Sequence, residues 1–283
     1  MVVNSVSVVV PHYNRPDMVP AAIKSICDQT VKPNEILLID DCSTPQNRAS
    51  LNELSSSAKI MSTPRNMGLA GARQFGAEKA SSEWVAFLDD DDTWLPDKLE
   101  RQIRYLESHP NVVALGGGTT VRTPDGHEEY WGEKETYRVN LAHALCFTAS
   151  LVPALLIRRD VLLNLGGFDD SLRYLEDYEF GIRLLASGNE THFIGEPLFI
   201  YNRGGRQQAS VQHLKMFESE LRILKMHAGL ARQEFGSAGP LRLKARCCKK
   251  YGERIGGVRG RLLWTWGCTL QAAFGRQLAG VEE

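Results

Sequence analysis

The first hundred residues alternate apolar runs of strand length with amphipathic stretches of helix length, and few folds accept that rhythm. Successive βαβ units on a parallel sheet require it, because each crossover helix must cover one face of the sheet. Ser5 to Val10 (SVSVVV) predicts a buried strand, and Met18 to Gln29 a helix that tolerates Pro20 in its first turn. Glu35 to Asp40 (EILLID) predicts a second strand, followed by a helix capped by Ser43 or Thr44 and running to Leu54. Lys59 to Ser62 reads as a short third strand, Leu69 to Ala80 as a helix and Trp84 to Leu88 as a strand. Pro96 to Ser108 then reads as a helix with Asp97 favourably placed in its first turn.

Beyond Ser108 the rhythm changes. Val112 to Val121 reads as strand, Pro124-Asp125-Gly126 as a hairpin turn, and the stretch to Thr148 has no clean period. Leu155 to Arg158, a short helix from Asp160 stopped by Gly166-Gly167, and a helix from Glu176 to Ala186 follow, with two short strands near Thr191 and Leu198. A helical pattern returns from His213 to Phe235, and after Gly236-Ser237-Ala238-Gly239-Pro240 a basic tail begins. There is no internal repeat and no long low-complexity tract.

Hydrophobic residues make up 43% of the 283 residues and charged residues 24%, which excludes a disordered or fibrous chain. The cysteines, Cys27, Cys42, Cys146, Cys247, Cys248 and Cys268, form no CxxC pair and no zinc spacing, so free thiols are expected. The opening MVVNSVSVVVP has neither a basic leader nor enough apolar residues to span a bilayer, which makes the cytoplasm the expected location. The formal net charge of -1 conceals an asymmetry. Arg242, Lys244, Arg246, Lys249, Lys250, Arg254, Arg259 and Arg261 are opposed between Leu241 and Arg261 only by Glu253.

In an open parallel α/β sheet, ligands bind beyond the carboxyl ends of the strands. Three acidic clusters fall at or near such places: Asp40-Asp41, the run Asp89, Asp90, Asp91 and Asp92, and Glu176-Asp177. Two unit charges 4 Å apart repel by about 4 kcal/mol at an effective dielectric near 20, so four clustered carboxylates demand solvent or a cation. A divalent metal shared with a diphosphate satisfies that demand, and a solvated acidic loop capping the next helix is the plain alternative. For Asp40-Asp41 the alternatives are a strand-to-helix turn or a carboxylate for a base or ribose. Arg73, in NMGLAGARQFG, lies either in a tightly packed helix start or facing phosphate. Glu176-Asp177 is either a favourable helix N-terminus or the place of a general base.

Taken together, these segments resemble the family 2 glycosyltransferases. VSVVVPHYNR is similar to that family's first-strand motif, LLIDDCS to its DDGS, NMGLAGAR to its NxGxxxAR and FLDDDDTWLPDKLE to its DxDD region. GGFDDSL, LEDYEFGIRL and YNRGGRQQAS follow in the family's order, so the resemblance spans Val3 to Ser210. It implies an α/β fold of GT-A type: a mostly parallel, Rossmann-like central sheet flanked by helices. Residues 1–110 would be the nucleotide-binding half, 111–212 the acceptor half, and 213–283 a helical, basic C-terminal extension.

The resemblance further implies an inverting transferase that moves a sugar from a nucleotide donor, expected to be a UDP-sugar, to a hydroxyl of a saccharide or lipid-linked saccharide. Pro11, Tyr13, Asn14, Asp41 and Arg73 would line the nucleotide pocket. Asp89 and Asp91 would be the motif aspartates, with Asp91 the direct ligand of Mn²⁺ or Mg²⁺ and Asp90 and Asp92 in support. Asp177 would be the general base, with Glu176 and Arg183 in the same motif. Two departures stand out: Cys42 replaces the glycine of DDGS, and Gly204-Gly205 follow Arg203 where several relatives carry a histidine, so a histidine ligand is not expected. His213 is expected to open a helix instead.

The basic tail, with Trp264 and Trp266, fits either an interfacial helix on anionic lipid or a helix packed on the domain; no motif points to nucleic acid. Two rival readings remain open. A sugar nucleotidyltransferase would open with a Gly-rich phosphate loop, which PHYNRPD is not. A non-catalytic nucleotide-sugar-binding partner would not need both Asp91 and Asp177.

Overall fold

The structure, a computed structural model, describes residues 3, 5–146, 154–203 and 212–274. Four parallel strands carry the first half: β1 (Val6–His12), β2 (Glu35–Asp40), β3 (Lys59–Ser62) and β4 (Trp84–Phe87). Between them run α1 (Val19–Cys27), α2 (Pro45–Ser50) with a 3₁₀ turn at Leu51–Leu54, and α3 (Gly68–Lys79). β5 (Thr93–Trp94) and α4 (Lys98–Ser108) follow.

The second half contributes β6 (Ala114–Arg122), β7 (Glu128–Trp131), β8 (Tyr137–Arg138), α5 (Leu141–Cys146), β9 (Leu156–Arg158), α6 (Arg159–Asn164), α7 (Glu176–Ala186) and β10 (Thr191–Asn202). One sheet holds all the described strands, in the order β3-β2-β1-β4-β9-β6-β10-β5, with β7 on β6 and β8 on β10. It is parallel from β3 to β4 and mixed beyond, since β9 runs antiparallel to both β4 and β6 while β6 and β10 run parallel.

Alternation along β1 divides the core. Val8 and Val10 enter a cluster with Val19, Ala22, Ile23 and Ile26 of α1 and Leu99 and Leu106 of α4. Val9 faces the other way, with Ala70, Ala72 and Ala77 of α3 and Phe180 and Leu184 of α7. The small residues of α3 have a steric reason, because a Cβ on Gly76 would stand 2.3 Å from Val9 Cγ1.

Several local expectations are corrected. The helix after the aspartate run starts at Lys98, with Asp97 at its N-cap position and bound to Arg101 Nε at 2.7 Å, so Asp97 is not in the first turn. The two strands expected near Thr191 and Leu198 are one, since the register shifts between Ile194, Pro197 and Phe199 accommodate the proline as a bulge. The helical stretch from His213 is two helices, α8 (His213–Met226) and α9 (Ala228–Phe235). Of the proposed caps Thr44 serves α2, accepting from Asn47 N, while Ser43 Oγ accepts from Asn14 N.

The tail forms α10 (Gly239–Ile255) and α11 (Gly257–Phe274). Leu243, Cys247, Cys248 and Tyr251 of α10 share a core with Phe217 and Ile223 of α8, Leu145 of α5 and Tyr178 and Ile182 of α7. Among the described residues no helix is long and apolar enough to cross a membrane. All six cysteines are free thiols.

Candidate active site

Because β1, β2 and β4 are parallel, the loops that leave their carboxyl ends open on one edge of the sheet. The aspartate run sits in the loop between β4 and β5, and β5 pairs with Phe199 and Ile200 of β10. Asn202, at the end of β10, grips the run: its N donates to Asp92 Oδ1 at 3.0 Å and its Nδ2 to the Asp91 carbonyl at 2.8 Å. The run therefore bridges the two halves of the sheet.

The four aspartates differ. Asp90 is sealed, its side chain 0% exposed, with Oδ2 2.8 Å from His12 Nδ1 and Oδ1 paired with Arg15. Asp92 is buried against Asn202, and burial together with Asp89 and Asp91 drives its carboxyl well above the usual range. Asp91 and Asp89 keep side-chain exposures of 15% and 25%. Asp91 Oδ2 accepts from Arg15 Nη1 at 2.8 Å, yet burial and Asp89 still raise its carboxyl.

Arg73, on α3, is 2% exposed and joins the run to the third cluster, donating from Nη2 to Asp89 Oδ1 at 2.6 Å and from Nη1 to Glu176 Oε1 at 2.7 Å. Burial works against its charge, but Asp89, Glu176 and Asp177 outweigh that and raise its pKa. Glu176 is buried at the start of α7, and burial with the adjacent Asp177 charge pushes its carboxyl up to about 7 despite Arg73. Asp177 is half-buried, and its Oδ1 accepts from Tyr178 N at 2.8 Å. Leu175, just before them, adopts a left-handed φ of 63°, which turns the chain sharply into α7.

The remaining expected residues ring this center at different depths. Pro11 is buried within β1, and Tyr13 is 48% exposed beyond its end. Asn14, with φ 53°, accepts at Oδ1 from Thr44 N at 2.8 Å and so ties the first loop to the second. Asp41 is turned inward: Oδ1 accepts from Thr63 Oγ1 at 2.9 Å and Met67 N at 2.7 Å, and Oδ2 from Gly68 N at 2.8 Å. It thus caps α3, and Oδ2 retains a lone pair. Arg183 stands away from the run, binding Glu179, the Leu165 carbonyl at 2.5 Å and the Gly167 carbonyl at 2.6 Å, which fastens the Gly166-Gly167 turn to α7.

His12, Arg15 and Asn202 were not among the expected residues. Arg15 was legible in principle, as a basic residue in the loop after β1, the strand paired with β4; His12 and Asn202 carry no such signal. Two buried nitrogens of this site, Arg73 Nε and His12 Nε2, are among those with no hydrogen-bond partner among the described residues, a costly arrangement that functional sites tolerate. Residues 204–211, where part of the YNRGGRQQAS segment falls, lie outside the described residues, as do 147–153.

No three His, Cys, Asp or Glu side chains among the described residues gather in a metal-holding cluster. The donor set still fits a hard divalent cation, because Mg²⁺ and Mn²⁺ take one or two protein carboxylates and complete their shell with water and phosphate. Asp91 and Asp89 are the members of the run with reachable oxygens.

Residues 7–158 match the family described as Glycosyl transferase family 2. The chain belongs to that family. It is 32% identical to an uncharacterized glycosyltransferase of Haemophilus influenzae over 68% of this chain and 66% of the relative. It is 39% identical over 36% of its length, and 40% of the relative's, to the Escherichia coli UDP-Glc:alpha-D-GlcNAc-diphosphoundecaprenol beta-1,3-glucosyltransferase WfgD. S. aureus TarS 1-349, solved in complex with UDP-GlcNAc, superposes with a TM-score of 0.71 over 97% of this chain and 82% of that one at 18% identity. The fold of this family 2 glycosyltransferase is therefore the GT-A fold, with a helical C-terminal region added.

Proposed function

We propose that this family 2 glycosyltransferase moves a sugar from a UDP-sugar to a hydroxyl of a saccharide or lipid-linked saccharide, with inversion at the anomeric carbon. The observation that carries this reading is the Arg73 bridge, which ties the reachable Asp89, two residues before Asp91, to Glu176 at the start of α7. UDP as the carrier is supported by the donors in the names of WfgD and the TarS complex. WfgD's diphosphoundecaprenol acceptor supports a lipid-linked substrate, and with the basic C-terminal region it supports work at the inner face of a membrane.

Residues 1–110 would hold the nucleotide and 111–212 the acceptor, with 213–283 as an extension. Pro11, Tyr13 and Asn14 would border the nucleotide, and Asp41 would accept from the base through the lone pair left on Oδ2. Arg73 would hold the donor-side carboxylates in place. Asp91, with Asp89, would hold Mn²⁺ or Mg²⁺, which when bound neutralises charge on the departing diphosphate.

Asp177 would accept the proton of the acceptor hydroxyl as that oxygen bonds to the anomeric carbon and the bond to the donor phosphate oxygen breaks, releasing UDP. Attack on the face opposite the leaving group gives inversion. Glu176 would hold Arg73 in register. Holding the two substrates in line supplies the rest of the rate enhancement. Calorimetric titration of UDP with and without Mn²⁺, followed by assay of UDP-sugar turnover, tests the reading: binding without turnover in the unaltered protein would make it a binding partner and not an enzyme.

A further inference from the structure

α11 meets the rest of the protein mainly through α10, and the two backbones come close. A Cβ on Gly260 would lie 2.4 Å from the Gly252 carbonyl oxygen, and one on Gly267 would lie 2.8 Å from that of Ala245. Among the described residues the opposite face is covered only at its edge, where Lys244 lies over Trp266. Val258, Leu262 and Trp266 are exposed by 66%, 67% and 43%, and at about 100° per residue they fall with Thr265, Thr269 and Ala273 on one stripe.

Arg259 and Arg261 project on either side of that stripe, both exposed, and neither makes a hydrogen bond or ion pair among the described residues. α11 contains no Asp or Glu. Lys244 Nζ, over the Trp266 ring at 4.6 Å, adds a cation at the edge. Three basic residues of α10, by contrast, are engaged by the protein's own groups: Lys250 with Glu220, Lys249 with Gln271 at 3.1 Å, and Arg242 with the Phe274 carbonyl at 2.6 Å.

Val258, at the start of the stripe, follows Ile255 of α10 by three residues. Arg254 and Ile255, at the end of α10, line one recess with His213 and Leu214. Beside them Gln212 accepts from Tyr174, two residues before Glu176, at 2.7 Å. An apolar stripe with a tryptophan, edged by arginines and empty of acids, is the chemistry of a helix lying in the headgroup region of an anionic bilayer. A second copy of the same helix fits poorly in a parallel pair, which would set Arg259 and Arg261 against their own kind.

We propose that the outward face of α11, Val258, Leu262 and Trp266 between Arg259 and Arg261, docks the protein on an anionic membrane surface. That would present the Asp177 end of the site to lipid-linked acceptors. The docking rests on the glycosyl-transfer reading only for its purpose, not for its occurrence.

The test is co-sedimentation of the full chain with vesicles of phosphatidylcholine alone or mixed with phosphatidylglycerol. Binding is expected only to the mixed vesicles. Leu262→Asp and Trp266→Asp should each lower the partition coefficient about tenfold or more, and Arg259→Gln and Arg261→Gln about fivefold each. Lys249→Gln should leave it nearly unchanged. Thermal unfolding of each variant at the wild-type midpoint shows that the fold is intact, and the exposed arginines serve should an aspartate variant misfold. Failure of the unaltered protein to bind, equal binding by Leu262→Asp, or a dimer in sedimentation velocity that Leu262→Asp dissociates would overturn the proposal. UDP-sugar turnover without vesicles separates the two ideas, because turnover without vesicle binding removes the docking surface and leaves the transferase.

Discussion

Arg73 Nη1 lies 2.7 Å from Glu176 Oε1, a contact that closes 103 residues of chain and brings the start of α7 to the aspartate run. With Nη2 on Asp89, the one buried guanidinium serves both acidic groups, and neither a lysine nor a neutral side chain can reproduce its fork. Arg73→Met should therefore lower unfolding free energy in urea by about 3 kcal/mol at pH 7.5. The loss should shrink at pH 5, where Glu176 takes up a proton. Arg73→Lys should keep part of the stability and little of the turnover.

Singly replacing the aspartates with Asn should give unequal losses. Asp91→Asn should abolish the effect of Mn²⁺ on UDP affinity while leaving stability nearly unchanged, because its carboxylate is raised by burial and Asp89. Asp90→Asn should instead destabilise by about 2–3 kcal/mol, since it weakens a buried acceptor of both His12 and Arg15. Calorimetry and urea denaturation read the two effects separately, and full Mn²⁺ dependence in Asp91→Asn would remove Asp91 as the metal ligand.

Glu176 makes stability depend on pH with a definite sign. Its folded pKa of about 7 exceeds the ordinary 4.5, so between those values the folded state holds a proton that the unfolded chain has released. Stability from this group is therefore present at pH 4.5 and falls as pH climbs to 7, by at most about 3 kcal/mol. Glu176→Gln should flatten that part of the stability curve. A curve as steep as the wild type's would assign the slope to Asp91 and Asp92, whose carboxyls are raised as well.

Cys42 occupies the turn after β2 with φ 63°, a left-handed conformation that a side chain disfavors by about 1–2 kcal/mol. Cys42→Gly should raise the unfolding free energy by about 1 kcal/mol after allowing for the extra freedom of glycine in the unfolded chain. Differential scanning calorimetry reads the shift, and a lower midpoint would mean that the thiol makes contacts worth more than the strain.

The parallel half of the fold was legible because its period is local. β2, β3 and α7 fall on the expected residues, and β1, α3 and β4 within one or two residues of them. The second half was less so, since β5, β7 and β8 are two to four residues long and owe their existence to pairing with β10 and β6. At the site, charge clustering pointed to the acids but not to their partners. Asn202 reaches Asp92 across 110 residues of chain, a relation no window of sequence contains. The inward turn of Asp41 was equally hidden, because its partners Met67 and Gly68 act through backbone N–H groups that any residue but proline supplies.

The most direct measurement of the central claim is UDP-sugar turnover by Asp177→Asn in the presence of Mn²⁺, alongside UDP binding by the same variant. UDP binding should match the wild type, while turnover should fall about 10²–10⁴-fold, the contribution of a positioned general base. Wild-type turnover in Asp177→Asn would contradict the account and send the search for the base elsewhere on the acid-lined edge.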